Sequence, residues 1–253
     1  MEKLTALKAL VMAGCGSRRA MAEAIKQGRV ALNGVSVSSF KQELGNLADV
    51  LTLDGKQVAL KNGEPVYLIL NKPVGILSTT RDERGRQTVI DLLPAAYKDL
   101  PLNPVGRLDL DSSGLVILTD DGALTYSLTH PKFEKEKEYV VTLDHELSQE
   151  DRASFEGGLE LEDGLTSPTT VKESPGHPGT YYVILHEGRK RQLRRMFASL
   201  GYRVTTLKRV RMGTLLLGEL PEGKTRVLSE EEVTLLRVST TLPDTNKTAS
   251  IGK

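Results

Sequence analysis

The first sixty residues combine a helical hydrophobic pattern with one hairpin signal. A first helix is predicted by four apolar residues at helical spacing, Leu4, Leu7, Leu10 and Val11. Ser17 is a favourable N-cap residue and predicts a second helix over residues 18–27, which Gly28 would end. Asn33 and Gly34 separate two short extended runs, which is typical of a β-hairpin. Because two helices and a hairpin are too small to be an enzyme alone, we assign residues 1–61 to a separate N-terminal domain.

After this domain, short apolar runs alternate with glycine and proline, a pattern typical of strands joined by turns. Five strands are predicted, over residues 66–70, 115–119, 139–143, 180–185 and 204–207. The clearest helix covers residues 192–199, because Leu193, Met196 and Phe197 fall on one face. Residues 88–93 are predicted to start a helical turn.

The balance of elements and the composition limit the fold class. Strands outnumber helices without regular alternation, so we predict an α+β domain with a mixed, mostly antiparallel sheet over residues 62–237. The polar segment 238–253 is expected to be a disordered tail. Apolar residues make up 39 % of the chain and charged residues 26 %, and the longest apolar runs are too short to span a bilayer. We therefore expect a cytosolic protein without a membrane partner.

The net charge of +1, from 34 Lys and Arg against 33 Asp and Glu, conceals an uneven distribution. Residues 1–61 contain 9 basic and 5 acidic side chains, and residues 187–211 contain 9 basic and 1 acidic. The remainder of the chain carries a net charge of −11. The near-neutral total is therefore compatible with a nucleic-acid partner.

Candidate chemistry concentrates in residues 106–122, where a glycine-rich polar loop leads into an apolar strand. Asp109 lies between two leucines and close to Arg107, which suits an ionised carboxylate held in a pocket as a nucleophile or general base. Alternatively, Asp109 or Asp111 only accepts hydrogen bonds from backbone N–H groups of the turn. The segment also matches the start of an EF-hand calcium loop, although the flanking helices that such a loop needs are not predicted.

A second cluster lies where a predicted strand leads into the predicted helix 192–199. It places five cations within seven residues, namely Arg189, Lys190, Arg191, Arg194 and Arg195. Lys208, Arg209 and Arg211 extend it, and Glu187 is its one acidic residue. The scarcity of acidic partners favours a phosphate-binding surface for RNA or DNA over a solvated face. The acidic segment 146–163 is expected to face away from the nucleic acid.

The sequence predicts neither a metal site nor a nucleotide cofactor. Cys15 is the single cysteine, which excludes an internal disulfide and most cysteine-rich metal sites. The histidines show no metal-ligand spacing; they are His130, His145, His177 and His186. Neither of the glycine-rich motifs that bind phosphates of nucleotides or dinucleotides occurs.

Several motifs resemble, in colinear order, those of the RsuA/RluB-type pseudouridine synthases of bacterial ribosomal RNA. Residues 106–115, which read Gly-Arg-Leu-Asp-Leu-Asp-Ser-Ser-Gly-Leu, resemble the family's signature. Further matching segments are 71–75, 82–89, 137–139 and 187–196, the last being the family's third motif. Residues 17–34 resemble the S4 RNA-binding domain that precedes this catalytic domain. The resemblance covers residues 3–236.

The resemblance implies a cofactor-free isomerase that cuts the N-glycosidic bond of a uridine in folded RNA, rotates the base and rejoins it through carbon. Asp109 matches the essential aspartate, which either adds covalently to the ribose or removes a sugar proton to give a glycal. Tyr139 matches the tyrosine that packs on the target base and assists proton removal from it. An arginine of the third motif would pair with Asp109, with Arg194 as first candidate and Arg189 as second. Arg107 matches an arginine that helps to displace the target base.

The resemblance also implies a partner: structured ribosomal RNA in an assembly intermediate, bound by a monomer. The residues expected to contact it are Arg18, Arg19, Arg29, Arg107, Arg189, Lys190, Arg191, Arg195, Lys208 and Arg209. The loop 82–89 is closer to the large-subunit, RluB-like branch, so we expect 23S ribosomal RNA as the substrate. The alternatives are a 16S ribosomal RNA substrate and a non-catalytic RNA-binding protein.

Overall fold

The computed structural model of the protein describes residues 4–45, 49–59 and 64–238. The chain divides between Pro65 and Val66 into two compact units, and Asp99–Pro101 groups with the first. This division lies close to the boundary predicted at residues 61–62. Of the predicted tail, only Val238 is described, and it is the last residue of a helix; the rest lies outside the described residues. Within those residues, no helix is long and apolar enough to cross a membrane.

The N-terminal unit packs two helices and a small antiparallel sheet around one apolar core. Its elements are α1 (Ala6–Met12), α2 (Arg18–Lys26), β1 (Val30–Leu32), β2 (Val35–Ser36), β3 (Leu51–Leu53) and β4 (Lys56–Gln57). Ser17 Oγ caps α2 by accepting from the backbone N–H of Ala20 at 3.1 Å, and Gly28 follows the helix with φ +69°. Asn33 and Gly34 adopt positive φ in the β1–β2 turn. The two predicted helices and the hairpin are thus confirmed.

The larger unit is built on one mixed sheet. Its helices are α3 (Ala95–Lys98), α4 (Gly122–Thr129), α5 (Gln149–Gly157), α6 (Gln192–Ser199) and α7 (Glu230–Val238), with a 3₁₀ turn at Pro131–Phe133. Its strands are β5 (Tyr67–Lys72), β6 (Asn103–Pro104), β7 (Ser113–Thr119), β8 (Lys137–Leu143), β9 (Glu160–Leu161), β10 (Gly164–Leu165), β11 (Thr170–Glu173), β12 (Thr180–Leu185), β13 (Val204–Met212), β14 (Leu215–Leu216) and β15 (Thr225–Val227). All five strands predicted in this unit are present, and α6 has the predicted bounds.

The strand order in this sheet is β11-β12-β8-β13-β7-β5-β15, with β6 paired to β7 and β14 to β13. Strands β9 and β10 form a separate hairpin. Among the described strands, only the pairing of β13 with β7 is parallel. The α+β class with a mixed, mostly antiparallel sheet is therefore confirmed.

Helices cover the sheet and bury two apolar clusters. In the first, Phe155 of α5 and Phe197 of α6 stack with ring centroids 4.3 Å apart, within a cluster that includes residues of β8, β12 and β13. In the second, Leu128 of α4 and Leu236 of α7 belong to a cluster with residues of β5 and β7. Every residue of β7 after its first is buried, as expected for a central strand. The loop that enters β7 is consequently held at a fixed position beside β13.

Residues 89–92 form turns, and the N–H of Asp91 donates to the carbonyl of Thr88 at 3.1 Å, so the turn predicted within residues 88–93 is present and does not continue as a helix. The carboxylate of Asp91 accepts from the backbone N–H of Thr88 at 2.7 Å and from its hydroxyl at 2.9 Å. These local side-chain bonds compete with helical backbone bonds, and Pro94 follows directly.

Candidate active site

Asp109 lies on the acidic loop, the tight turn of residues 105–112 between β6 and β7. The loop is pinned at Leu108, whose N–H donates to Ser78 Oγ at 3.1 Å and whose carbonyl accepts from the same hydroxyl at 3.0 Å. Leu108 is buried and Leu110 is 44 % exposed, so Asp109 sits at the surface boundary and is half-buried. The N–H of Ser112 donates to the backbone carbonyl of Asp109 at 3.1 Å. The turn is therefore closed by the backbone of Asp109, and its carboxylate accepts no hydrogen bond from the described residues.

The buried side chain of Lys72 donates hydrogen bonds to the backbone of this loop. Its side chain is 0 % exposed, and Nζ donates to the carbonyls of Ser112 at 2.7 Å and Pro73 at 2.8 Å. Burial lowers the pKa of Lys72 to about 8, while the carboxylates of Asp111 and Asp109 oppose that shift. A buried ammonium group thus binds the backbone of the acidic loop at Ser112. This role of Lys72 was not predicted from the sequence, where the available signal is a lysine one residue beyond the apolar run 66–70.

Gly114 allows β7 and β13 to approach closely. It pairs with Arg209 in the parallel register and has φ +103°. A Cβ at this position would lie 2.2 Å from the carbonyl oxygen of Arg209 and 2.7 Å from its backbone nitrogen. Only glycine fits here. The glycine of the signature thus places the acidic loop against β13.

A cavity of about 300 Å³ opens beside the loop. It is lined by the loop before β7, by β8, by the segment between β12 and α6, and by β13. The predicted site residues in its wall are Arg107, Asp109, Tyr139, Arg189, Lys190, Arg191 and Arg209. Three further candidates, Arg194, Arg195 and Lys208, lie outside that wall. The structure therefore brings Asp109 and Tyr139 to one cavity, as expected if both act on the same substrate group.

The arginine expected to pair with Asp109 pairs with Asp111 instead. Arg194 places Nε 3.3 Å from the Asp111 carboxylate and donates from Nη2 to the Asp111 carbonyl at 2.8 Å. Arg191 donates to the same carboxylate twice, at 3.0 and 2.8 Å. Hydrogen bonds from Arg191 hold the pKa of Asp111 below its usual range. Asp109 forms no ion pair with any described residue, so the predicted pairing with Arg194 or Arg189 is corrected.

Arg189 and Arg195 are tied to the β9–β10 hairpin. Arg195 donates twice to the Asp163 carboxylate, at 2.8 and 2.9 Å. Arg189 donates to the carbonyl of Gly164 at 2.7 Å and to the carboxylate of Glu187 at 3.1 Å. Asp163, the last residue of the acidic segment 146–163, therefore lies at the basic cluster, while the orientation of the segment away from the nucleic acid stays a prediction. The basic cluster therefore has more acidic partners than its own segment of sequence contains, because the fold brings Asp163 and Asp111 to it.

The basic residues of β13 differ in their exposure. Arg209 is 2 % exposed and donates from Nε to the carbonyl of Leu115 at 2.8 Å, so it is a buried cation and not part of an exposed surface. Arg211 pairs with Glu136 at 2.9 Å and Glu138 at 2.7 Å. Lys208 is exposed and has no ion pair with any described residue. Of the three β13 residues predicted to extend the basic cluster, only Lys208 is thus an exposed cation without an ion pair to a described residue.

The N-terminal candidates lie on α2 and just beyond it. Arg18 and Arg19 are exposed in the first turn of α2. Arg29 is exposed as well, but it donates twice to Asp54, at 2.7 and 2.6 Å. Of these three candidates, Arg18 and Arg19 therefore remain available for phosphate contacts.

Tyr139 and Lys137 lie two residues apart on β8 and both line the cavity. Residues at this spacing share one face of a strand. Lys137 donates from Nζ to the carbonyl of Lys135 at 2.8 Å. Burial, followed by the charge of Arg209, lowers the pKa of Lys137 to about 8. In the sequence Lys137 stood out only as part of a motif, although its spacing from Tyr139 already placed the two residues on the same face of a strand.

The acidic loop does not have the architecture of an EF-hand. Residues after Ser113 form strand β7, and the Asp111 carboxylate is occupied by Arg191 and Arg194. Within the part of the chain that the structure describes, no group of three or more His, Cys, Asp or Glu side chains could hold a metal ion. The titratable side chains that line the cavity include the Asp109 carboxylate, the Tyr139 phenol and several cations.

Comparisons with known proteins agree with this geometry. The sequence model of the family described as RNA pseudouridylate synthase matches residues 66–199. The chain is 37 % identical over 243 residues to a ribosomal large subunit pseudouridine synthase B of Bacillus subtilis, covering 94 % of this chain and 96 % of that protein. It is 39 % identical over 242 residues to the protein of the same name from Vibrio vulnificus, covering 93 % and 74 %.

A solved structure shares the fold. The crystal structure of a pseudouridylate synthase superposes with a TM-score of 0.66 at 31 % identity, covering 92 % of this chain and 99 % of that one. The family match over the larger unit includes both Asp109 and Tyr139, the two residues that meet at the cavity. The fold, the motifs and these similarities together establish that the chain belongs to the RNA pseudouridylate synthase family.

Proposed function

We propose that this protein isomerises uridine to pseudouridine in large-subunit ribosomal RNA. The observation that carries the proposal is Asp109, whose carboxylate borders the cavity on a pinned loop without an ion pair among the described residues. The relatives named as ribosomal large subunit pseudouridine synthase B support the choice of RNA. The resemblance of loop 82–89 to the large-subunit branch points the same way.

The cavity suits a uridine that has been flipped out of its stack. Flipping exposes the glycosidic bond and costs roughly a few kcal/mol, which contacts to the RNA backbone offset. Arg107 and Lys190 line the cavity, are exposed and lack an ion pair with any described residue. These cations are therefore suited to hold phosphates at its mouth, and Arg107 is placed to displace the base.

Asp109 is the residue that acts on the sugar. Both chemical routes require an ionised carboxylate with an unoccupied oxygen, either to bond the ribose carbon or to remove a sugar proton. The guanidinium groups of Arg191 and Arg194 are held by Asp111, which leaves the Asp109 oxygens accessible. Tyr139, half-buried on β8, presents a ring on which the uracil packs.

The N-terminal unit is proposed to be an S4-like RNA-binding domain. Its two helices and small sheet match the predicted pattern, and Arg18 and Arg19 are exposed on α2. We further propose that the protein acts as a cytoplasmic monomer on a structured ribosomal assembly intermediate and without a cofactor.

The test is site mapping of pseudouridine in ribosomal RNA from a strain that lacks this protein, complemented by purified protein added to unmodified transcripts. The proposal predicts that one position of 23S ribosomal RNA loses the modification and that the protein restores it on the transcript. Loss confined to 16S ribosomal RNA would reassign the substrate. If the wild-type protein binds transcripts but forms no pseudouridine in either RNA, it is a non-catalytic binding protein.

A further inference from the structure

Two cations line the cavity wall, a half-buried lysine and a buried arginine. Lys137 on β8 and Arg209 on β13 both line the cavity, and Arg209 is 2 % exposed. Arg209 uses Nε to donate to Leu115, but its buried Nη2 makes no hydrogen bond within the described residues. Lys137 donates to one acceptor, the carbonyl of Lys135 at 2.8 Å, so further N–H bonds of its ammonium remain available.

This pair is costly to maintain unless an oxygen-rich group binds to it. Neither Lys137 nor Arg209 forms an ion pair with a described residue, and an unpaired N–H in a buried guanidinium carries a desolvation penalty. The proximity of Arg209 adds to burial in lowering the pKa of Lys137, and Glu187 opposes the shift. Two like charges brought together at a cavity wall form a preorganised site for negative charge.

We propose that Lys137 and Arg209 form an oxyanion site for a carbonyl oxygen of the uracil that is detached during isomerisation. The inference rests on the proposed function and adds two catalytic residues to it. Tyr139 places the oxyanion site next to the base. It is two residues from Lys137 on β8 and is the register partner of Arg209 on β13. A base packed on Tyr139 therefore lies against both cations.

The step is balanced without a co-reactant. The N1–C1′ bond breaks with its electron pair left on the uracil, where the charge spreads from N1 to the carbonyl oxygens. Lys137 and Arg209 donate hydrogen bonds to one of these oxygens as the charge develops. After rotation C5 bonds to C1′ as the Asp109–C1′ bond breaks or, on the glycal route, as Asp109 returns the sugar proton. The C5 proton is then lost to a base, and N1 takes up a proton.

An RNA phosphate is the other anion that such a pair could bind. The burial of Arg209 argues against it, because a phosphate carries its ribose and neighbouring nucleotides with it. Exposed cations for phosphates are already present at the same cavity, at Arg107 and Lys190. The uracil, as the group that enters the cavity, is thus the occupant to which we assign the pair.

The experiment compares Lys137→Met and Lys137→Arg with wild type in single-turnover assays on uridine RNA and on the same RNA carrying 5-fluorouridine at the target. Fluorine acidifies the uracil, so its anion needs less stabilisation by the enzyme. Lys137→Met is expected to slow conversion of uridine about 10²-fold, to slow consumption of 5-fluorouridine less, and to leave RNA affinity unchanged. Lys172→Met, at an exposed position on β11, is the matched control and should behave as wild type.

The pH profile provides a second readout that a structural role would not move. Arg209 on β13 and Glu187 after β12 act on the charge of Lys137. The other charged or titratable groups that line the cavity are Arg107, Asp109, His130, Lys135, Tyr139, His186, Arg189, Lys190 and Arg191. With its pKa lowered to about 8, Lys137 loses its proton above that pH, and the wild-type rate should fall there. Lys137→Arg should retain its rate to higher pH.

The outcomes separate this inference from the proposed function. If the wild-type protein forms no pseudouridine, the proposed function is wrong, and the oxyanion site that rests on it is wrong as well. If wild type is active, three results each overturn the inference: an unchanged rate in Lys137→Met, an equal loss on both RNAs, or a loss of RNA affinity alone, which would assign the pair to a phosphate. Thermal unfolding of each variant confirms that the protein compared is folded.

Discussion

The carboxylate of Asp111 accepts two hydrogen bonds from the guanidinium of Arg191, at 3.0 and 2.8 Å. The two residues are 80 positions apart in the sequence, and their contact joins the acidic loop to the start of α6. Asp109, two residues earlier, makes no such contact. The two aspartates of the loop thus differ in role: Asp111 anchors the loop, and Asp109 remains accessible at the cavity.

Loss of this anchor should reduce activity more than stability. Replacing Asp111 by Asn removes the negative charge that Arg191 and Arg194 bind, so the acidic loop is expected to shift. A small displacement of Asp109 on that loop costs about 10- to 100-fold in rate. Because the Asp111 side chain is 43 % exposed, the free energy of unfolding should change by less than about 1 kcal/mol. Single-turnover kinetics and urea unfolding measure the two effects.

The matched control for Asp111 is Glu232→Gln. Glu232 accepts two hydrogen bonds from Arg226, at 2.8 and 2.7 Å, and does not line the cavity. It should lose similar stability and retain full activity. Equal effects of both substitutions on the rate would show that Asp111 does not position Asp109.

Gly114→Ala should destabilise the larger unit severely. An added Cβ would lie 2.2 Å from the Arg209 carbonyl oxygen, and φ is +103°. Overpacking together with backbone strain predicts a loss of at least about 2 kcal/mol in the free energy of unfolding. Gly122→Ala is the control, because no atom lies within 4 Å of its Cβ position. Chemical unfolding with similar midpoints for both variants would contradict the close approach of β7 and β13.

Salt dependence of RNA binding should separate unpaired from paired cations. Lys190 and Lys208 are exposed without an ion pair to any described residue, so each Lys→Ala change should reduce the slope of log K against log salt by about 1. Arg195 is held by Asp163 at 2.8 and 2.9 Å, so Arg195→Ala should leave the slope nearly unchanged. A larger slope change for Arg195→Ala than for Lys190→Ala would refute this division.

The buried Lys72 should make stability rise with pH in the alkaline range. Its pKa is lowered to about 8 from the ordinary lysine value of 10.5, so between these pH values the unfolded chain binds more protons than the folded one. The free energy of unfolding therefore increases as pH rises through this window, by at most about 1.4 kcal/mol per pH unit from this group. Burial raises the pKa of Tyr67 to about 12, and that group opposes the trend only above pH 10.

The measurement is urea unfolding of wild type and Lys72→Met between pH 8 and pH 10, a range that lies inside the window set by the pKa of Lys72. The variant should be less stable at every pH, because the carbonyl of Ser112 loses its donor. Its stability should also rise less steeply with pH. An identical pH slope in both proteins would contradict a depressed pKa of Lys72.

Local signals predicted the elements well. Hydrophobic periodicity predicted α6, the cap at Ser17 predicted α2, and Asn33 with Gly34 predicted the hairpin, because each signal acts over a few residues. The α+β class followed from the order of these elements. The turn predicted within residues 88–93 is also present, and the side chain of Asp91 closes it.

Charge pairing could not be predicted in the same way. Asp163 and Arg195, or Asp111 and Arg191, meet only through the tertiary fold, and many carboxylates along the chain could equally have paired with these arginines. The burial of Arg209 likewise depends on the close contact at Gly114, which sequence spacing does not show. Motif resemblance placed Asp109 and Tyr139 at one site, and the geometry then showed which cations surround them.

The most direct test of the account is Asp109→Asn, assayed on the same unmodified 23S transcript for pseudouridine formation and for RNA binding. The substitution preserves shape and removes the charge that both chemical routes require. We predict no detectable pseudouridine in a single turnover, with an RNA dissociation constant within about threefold of wild type, since phosphate contacts dominate affinity. Pseudouridine formation by Asp109→Asn at a rate close to that of wild type would contradict the assignment of Asp109 as the catalytic carboxylate.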